Sequence, residues 1–122
     1  MFAKLRDELA HYSSPPHLLS TADDGRAHAV AVSVWWEGDL LLLRAGKRSL
    51  ANIAARKLVS VLWGAPTADD YSLLVDGEGM ISGSAENARV LITITRAVLH
   101  RPGVPATPTT SGCGSDCVPL FG

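Results

Sequence analysis

The feature that most constrains this chain is the passage over residues 40–57, where four consecutive leucines lead into a basic turn and a helix-forming stretch. A short apolar run bounded by turn signals is typical of a buried strand. Gly46, Lys47 and Arg48 follow the run, and Ser49 stands where a helix N-cap residue is expected. The first backbone N–H groups of a helix are unpaired, and the helix dipole is positive at that end. The sequence therefore predicts an anion site at the start of this helix, suited to a phosphate-bearing cofactor.

Positive charge is concentrated in this passage rather than spread over the chain. Five of the 11 Lys and Arg residues lie between residues 44 and 57, although the formal net charge of the chain is −1. We therefore expect no general attraction to nucleic acid or to anionic lipid, and only local anion binding. Arg56 and Lys57 end the helix predicted over residues 49–57, where cations favour the dipole. Contact with a phosphate or with an acidic cofactor tail is the alternative role for these two residues.

Length and composition favour a single domain with a hydrophobic core, because the chain has 122 residues of which 47% are hydrophobic. It contains no apolar run of about 18 residues, so we expect no membrane-spanning helix. The first residues carry acids and lack an apolar signal region, so no secretory signal is expected. Cys113 and Cys117 lie near the C-terminus and cannot staple the core. We therefore expect a cytoplasmic protein.

Six stretches have the composition of β-strands and are separated by turn signals. Asp24-Gly25 and Gly38 predict tight hairpin turns, and Gly77 and Gly79 within one strand predict a bulge or a bend. A short amphipathic helix is predicted over residues 2–12. The pattern predicts a mainly β protein, a small six-stranded antiparallel barrel with one inserted helix and a short N-terminal helix. The predicted strands cover residues 17–22, 27–36, 40–44, 57–63, 71–81 and 88–99.

The composition changes after residue 102. Residues 103–112 form a Pro/Thr linker, and the tail that follows contains Cys113 and Cys117 and ends in an apolar segment. We therefore predict a barrel domain over residues 1–102 and a linker with a tail over residues 103–122. The apolar end of the tail is expected to dock on the body of the chain or on a partner.

Recognisable catalytic and metal motifs are missing from the sequence. The four histidines lack metal-ligand spacing, and no Ser-His-Asp or Cys-His arrangement can be argued, so no catalytic residue and no metal site is predicted. Cys113 and Cys117 are too close for a zinc site of their own, although two tails in a dimer would bring four thiols together. His28 is a candidate donor to a substrate. Trp35, Trp36 and Trp63 are expected in the core or at a subunit interface.

The order and spacing of several motifs together resemble the pyridoxamine 5′-phosphate oxidase-like split-barrel family, which binds FMN or a related deazaflavin. The resemblance covers about residues 4–102 and implies a homodimer with a cofactor at each of two interface sites. It is carried by Leu18-Leu19-Ser20-Thr21, Asp24-Gly25-Arg26, Val30-Ala31-Val32-Ser33-Val34-Trp35, the segment from Leu40 to Ser49, Asn52-Ile53, and the segment from Thr95 to Pro102.

The resemblance also assigns cofactor contacts position by position. Arg48 matches a phosphate-binding arginine, with Lys47 and Ser49 beside it, whereas Arg44 would meet the acidic tail of a deazaflavin. The remaining positions match residues that lie beside the ring or line the cofactor. The complete set of cofactor-binding positions is Val32, Ser33, Leu42, Leu43, Arg44, Lys47, Arg48 and Ser49.

The activity that the resemblance implies is hydride exchange between a reduced nicotinamide or deazaflavin and a small oxidised substrate, carried out by an FMN-dependent oxidoreductase. A reductase that uses the 8-hydroxy-5-deazaflavin coenzyme is the first alternative. A non-enzymatic flavin- or haem-binding module, and an interaction protein with an empty site, are the others. The family-like part stops at Pro102 without the basic C-terminal portion of the oxidase proper, so pyridoxamine phosphate oxidation is not expected. Arg56-Lys57-Leu58 also replaces the usual Asn-Pro after the helix.

Overall fold

The computed structural model describes residues 1–102 and 115–122, in which eight strands and two α-helices are formed. The helices are α1 (Ala3–Leu9) and α2 (Lys47–Ala55), and a 3-10 turn covers Ala85–Asn87. The strands are β1 (His17–Thr21), β2 (Ala27–Ala31), β3 (Val34–Glu37), β4 (Leu40–Leu43), β5 (Leu58–Trp63), β6 (Ser72–Ser82), β7 (Arg89–Pro102) and β8 (Ser115–Phe121).

All eight strands belong to one antiparallel sheet with the order β2-β1-β5-β6-β7-β4-β3, and β8 pairs with β7 beyond the end of β4. The first and last strands of this order, β2 and β3, are consecutive in the chain and are joined only by Val32 and Ser33. The sheet therefore has to curl until its two ends meet. This confirms the predicted mainly β split barrel with one inserted helix and a short N-terminal helix.

The strand predicted over residues 27–36 is wrong as a single strand, because β2 pairs with β1 whereas β3 pairs with β4. Gly25 (φ 85°) and Gly38 (φ 61°) form the two hairpin turns that fix these pairings. The two pairings are separated by Val32 and Ser33, which belong to neither strand. The chain leaves β2 at Val32, whose N–H donates to the Pro16 carbonyl at 3.0 Å. This break and the additional β8 raise the strand count from six to eight.

The core fills the inside of the curl with buried side chains from β1, β4, β5, β6 and β7, and partly buried side chains of β2 and β3 pack against it. Leu18, Val61 and Leu43 are fully buried there. The predicted irregularity in β6 is confirmed by a register shift between Asp76 and Gly77. A Cβ atom at Gly77 would lie 2.5 Å from the backbone carbonyl oxygen of Thr93 on β7, so the two strands approach too closely there for a side chain.

The described part of the tail docks on the body of the same chain, which is one of the two destinations expected for it. The β8 strand pairs with β7, and Leu120 and Phe121 pack against the core. The Phe121 ring lies 4.8 Å from the ring of Phe2, which in turn stacks on Trp36 at 5.9 Å. The predicted linker and Cys113 lie outside the described residues, and the domain division after residue 102 stays a prediction.

Two of the three tryptophans meet the expectation of a core position. Trp63 is 4% exposed and belongs to the core, and Trp36 packs against it beneath the guanidinium of Arg6. Trp35 points to the other face of the sheet, where its indole N–H donates to Glu37. In residues 1–102 and 115–122, no helix has the length and apolar character needed to cross a bilayer.

Candidate anion-binding site

The start of α2 lies directly after β4, and the prediction of Ser49 as its N-cap is wrong. Gly46 is the N-cap, in an extended conformation (φ −75°, ψ 175°), and its carbonyl accepts the first helical hydrogen bond from Leu50 N–H at 3.0 Å. The N-cap therefore lies three residues earlier than predicted, and the helix begins at Lys47 rather than at Ser49. The backbone N–H groups of Lys47, Arg48 and Ser49 consequently precede the first helical bond. Gly46 has no side chain to cap them.

One polar face of α2 is fastened to the hairpin of β1 and β2. Ser49 is 2% exposed, and its Oγ lies 3.5 Å from His28 Nδ1 on β2. One turn further, the buried amide of Asn52 donates to Ser20 Oγ on β1 at 3.1 Å. Residues three apart lie on the same face of a helix, so these contacts set the rotation of α2 about its axis. Lys47 and Arg48 remain exposed.

The two cations at the far end of the helix are engaged by protein groups. The helix ends at Ala55, and Arg56 is its extended C-cap. Arg56 Nε donates to the Thr21 carbonyl at 3.0 Å, and its Nη2 pairs with Asp23 at 2.7 Å. Lys57 Nζ lies 3.3 Å from a Glu78 carboxylate oxygen. These contacts agree with the structural role preferred from the sequence, although the partners lie on β1, on the β1–β2 turn and on β6 rather than on the helix.

An open cavity of about 480 Å³ lies between β2 and the start of α2. None of the residues that line it is acidic. The cations Arg44, Lys47 and Arg48 form no ion pair with any described residue, in contrast to Arg56 and Lys57. The lining consists of His28, Val30, Ala31, Val32, Arg44, Ala45, Gly46, Lys47, Arg48 and Ser49. The cavity is therefore a positively charged recess with one apolar wall, at a helix end whose backbone donors point outward.

The structure brings five of the eight predicted cofactor positions to this cavity: Val32, Arg44, Lys47, Arg48 and Ser49. The other three lie nearby without lining it. Leu42 and Leu43 are 1% and 0% exposed in β4, so neighbouring side chains cover them, and Ser33 is exposed in the connection after β2. The binding role of all eight positions stays a prediction.

His28 is the polar lining residue that the cofactor assignment left out. In sequence it stands on the same strand face as Val30, and this alternation would have placed both beside Val32. The contact between His28 and Ser49, however, depends on the packing of α2 on β2, which no local pattern shows. In residues 1–102 and 115–122, no cluster of three or more His, Cys, Asp or Glu side chains could hold a metal ion.

A second cavity of about 480 Å³ lies between the end of α1 and the loop before β6. Tyr12 on its wall donates from its hydroxyl to the Tyr71 carbonyl at 2.8 Å. Burial, followed by the charges of Glu8 and Asp70, raises the pKa of Tyr12 to about 12. This cavity carries negative charge and is unlike the basic recess at α2.

Solved structures with this fold cover most of the chain. An F420 reductase matches with a TM-score of 0.59 at 19% identity, over 75% of this chain and 94% of that one. A candidate pyridoxamine 5′-phosphate oxidase of Listeria innocua matches with a TM-score of 0.64 at 15% identity, over 79% and 94%. HupZ of Group A Streptococcus reaches 0.64 at 9% identity, over 81% and 93%. The chain thus has the pyridoxamine 5′-phosphate oxidase-like split-barrel fold, which confirms the resemblance found in the sequence.

Curated relatives place the chain more narrowly. An uncharacterised protein of Mycobacterium bovis and one of Mycobacterium tuberculosis are each 36% identical to it over 115 residues. Each alignment covers 82% of this chain and 81% of the relative. The chain belongs to the same family as these two mycobacterial proteins. No family model matches the chain.

Proposed function

We propose that this protein is a homodimeric flavoprotein that binds FMN by its phosphate at the start of α2 and acts as an oxidoreductase on a small molecule. The observation that carries the proposal is the basic cavity. Arg44, Lys47 and Arg48 line it without an ion pair to any described residue, beside backbone N–H groups that precede the first helical bond. The fold also occurs in proteins described as an F420 reductase and as a candidate pyridoxamine 5′-phosphate oxidase.

The donors present suit a phosphate monoester. Arginine offers a planar fork of N–H donors to phosphate oxygens, and lysine adds a compact charge. The three backbone N–H groups at the start of α2 add donors that need no reorganisation. On the opposite wall, Val30 and Val32 present an apolar surface suited to a flat ring. Hydride transfer itself would be the chemistry of the flavin, and the residues of the chain would bind and orient it.

A deazaflavin-dependent reductase is the second candidate, and the position of Arg44 favours it. Arg44 precedes the helix and lies exposed on the cavity lining, where it could meet a negatively charged tail that extends beyond the phosphate. Arg56 and Lys57 are already paired with Asp23 and Glu78, so they are less available for such a tail. Replacement of Arg44 with Ala should therefore lower the affinity for the deazaflavin coenzyme more than it lowers the affinity for FMN.

The direct test is a binding titration of the full chain with FMN and, separately, with the deazaflavin coenzyme, in which binding is detected by the fluorescence of the cofactor. Visible absorbance of the protein as purified shows which cofactor, if any, is retained. Micromolar or tighter binding of one of the two supports the proposal. A haem spectrum would favour the non-enzymatic binding module, and a protein that binds none of the three would leave only the interaction role.

A further inference from the structure

The basic cavity contains a histidine that the flavin proposal does not use. His28 projects from β2 into the lining, and its Nδ1 atom lies 3.5 Å from Ser49 Oγ at the start of α2. Ser49 is 2% exposed and also lines the cavity, so its side chain is a buried part of the cavity wall beside His28. The two side chains come from elements 21 residues apart in the sequence and meet only in the folded protein.

A serine hydroxyl has a single proton to donate. If Ser49 donates that proton to His28 Nδ1, only oxygen lone pairs remain for the cavity, and these repel an anion. If His28 Nδ1 carries a hydrogen and donates it to Ser49 Oγ, the hydroxyl proton is available to the anion. Only the second arrangement lets Ser49 contribute to the site.

We propose that His28 is a positioning residue that donates from Nδ1 to Ser49 Oγ, so that the Ser49 hydroxyl donates to the bound phosphate. This inference rests on the phosphate end of the proposed flavin site. Both the Nδ1–H tautomer and the imidazolium meet the requirement, since each carries a hydrogen on Nδ1. Anion binding should therefore select these states over the Nε2–H tautomer.

Two replacements of His28 separate this role from simple packing. Asn places an amide N–H donor near the position of Nδ1, whereas Phe fills a similar space without a donor. Inorganic phosphate is the probe, measured by its competition with FMN or by chemical shift changes. Loss of one neutral hydrogen bond corresponds to about three- to tenfold in affinity. We expect that loss in His28→Phe, with affinity largely retained in His28→Asn.

A double-mutant cycle tests whether His28 acts through Ser49. Ser49→Ala should lower the affinity for phosphate about as much as His28→Phe does. The double variant should lose little further affinity, because the second change removes a contact that is already lost. Losses that add in the double variant, or equal losses in His28→Asn and His28→Phe, would overturn the inference. Thermal unfolding of each variant checks that the fold is retained.

A measurement on the unmodified protein covers the case in which a variant does not fold. The ¹⁵N shifts of the His28 ring report which nitrogen carries hydrogen, and saturating phosphate should move the ring to an Nδ1-protonated state. An unchanged Nε2–H tautomer in the phosphate complex, or no phosphate binding, would refute the proposed donation from His28 to Ser49. If phosphate bound and moved His28 to the Nδ1-protonated state but no flavin bound, the flavin proposal would be refuted and this inference would stand.

Discussion

At the scale of single residues, the arginines of this chain divide by what already holds them. Arg56 is tied to Thr21 and Asp23, whereas Arg48 is exposed on the cavity lining and forms no ion pair with a described residue. A guanidinium that the fold does not use is available to a ligand. Arg48 is also the second residue of α2, where the helix dipole adds to its charge.

Replacement of Arg48 with Ala should therefore weaken the binding of FMN strongly. A charge-assisted hydrogen bond is worth about 1.5–3 kcal/mol, which corresponds to roughly tenfold or more in Kd. The matched control is Arg26→Ala, because the Arg26 side chain is 87% exposed on the hairpin turn, outside the cavity lining, and its ion pair is with Asp24. Titration of flavin fluorescence measures both variants. Unchanged affinity in Arg48→Ala would contradict the phosphate assignment.

Tyr12 gives a prediction about stability and pH. Burial, with the charges of Glu8 and Asp70, raises the pKa of its hydroxyl to about 12, above the ordinary value of about 10. The unfolded chain therefore loses this proton first, and the free energy of unfolding should fall as the pH rises from about 10 to about 12. Below pH 10 the hydroxyl is protonated in both states and this contribution is fully retained.

The Tyr12→Phe variant isolates that contribution from other groups that titrate at high pH. At neutral pH it should be less stable by about 1 kcal/mol, since the hydrogen bond to the Tyr71 carbonyl is lost. The difference from the parent protein should shrink above pH 10. Chemical denaturation at a series of pH values measures it, and a difference that stays constant to pH 12 would show that the Tyr12 pKa is not raised.

At the scale of the elements, α2 is where local stability and ligand binding compete. Its first N–H groups have no side-chain cap, because the N-cap is Gly46. Gly46 has an ordinary backbone conformation, and nothing lies within 4 Å of a Cβ atom added there. A capping side chain would therefore fit without strain, and its absence leaves the helix start open to an anion.

Replacement of Gly46 with Asp should raise stability and lower anion affinity together. The aspartate would cap α2 and gain a few tenths of a kcal/mol relative to glycine, as capping scales indicate for this exchange. Its carboxylate would also occupy the donors offered to phosphate and repel it, so FMN should bind at least about tenfold more weakly. Gly46→Ala is the control without charge. If Gly46→Asp bound FMN as well as Gly46→Ala does, the phosphate would not lie at this helix end.

At the scale of the whole molecule, the outer face of the sheet carries apolar side chains that the single chain does not cover. Leu58 and Met80 are 67% and 64% exposed, and the pairing of Leu58 with Glu78 places both on the same face. The proposed homodimer would bury such a face and supply a second wall for each open cavity.

The double variant with Leu58→Asp and Met80→Asp should be monomeric if this face forms the dimer. Buried carboxylates would oppose association, because each would lose its hydration without a partner. Light scattering coupled to gel filtration gives the mass of the parent protein, of the variant and of the control Ala3→Asp on the exposed start of α1. A parent protein that is monomeric at all accessible concentrations would contradict the homodimer.

Much of the architecture could be predicted because its signals are local. Asp24-Gly25 and Gly38 specify their turns through backbone conformations that few other residues adopt, and both glycines have positive φ. The leucines of β4 and the basic turn after them also lie where the pattern put them. The start of α2 was misplaced because Ser49 has the chemistry of a cap and is instead used to contact His28. The residue type alone does not distinguish a serine that caps the helix from a serine that contacts His28.

The sequence by itself determined most of the strand segments, where the hairpins turn and that cations gather after β4, since these follow from short-range chemistry along the chain. The strand β8, whose pairing with β7 joins the tail to the sheet, was not among them. Only the tertiary structure decided that β2 and β3 are separate strands in different parts of the sheet. It also decided that His28 faces Ser49, and that Arg48 forms no ion pair with a described residue while Arg56 is held by Asp23. The physical reason is that such contacts depend on which strands pair, and pairing joins residues that no local pattern relates.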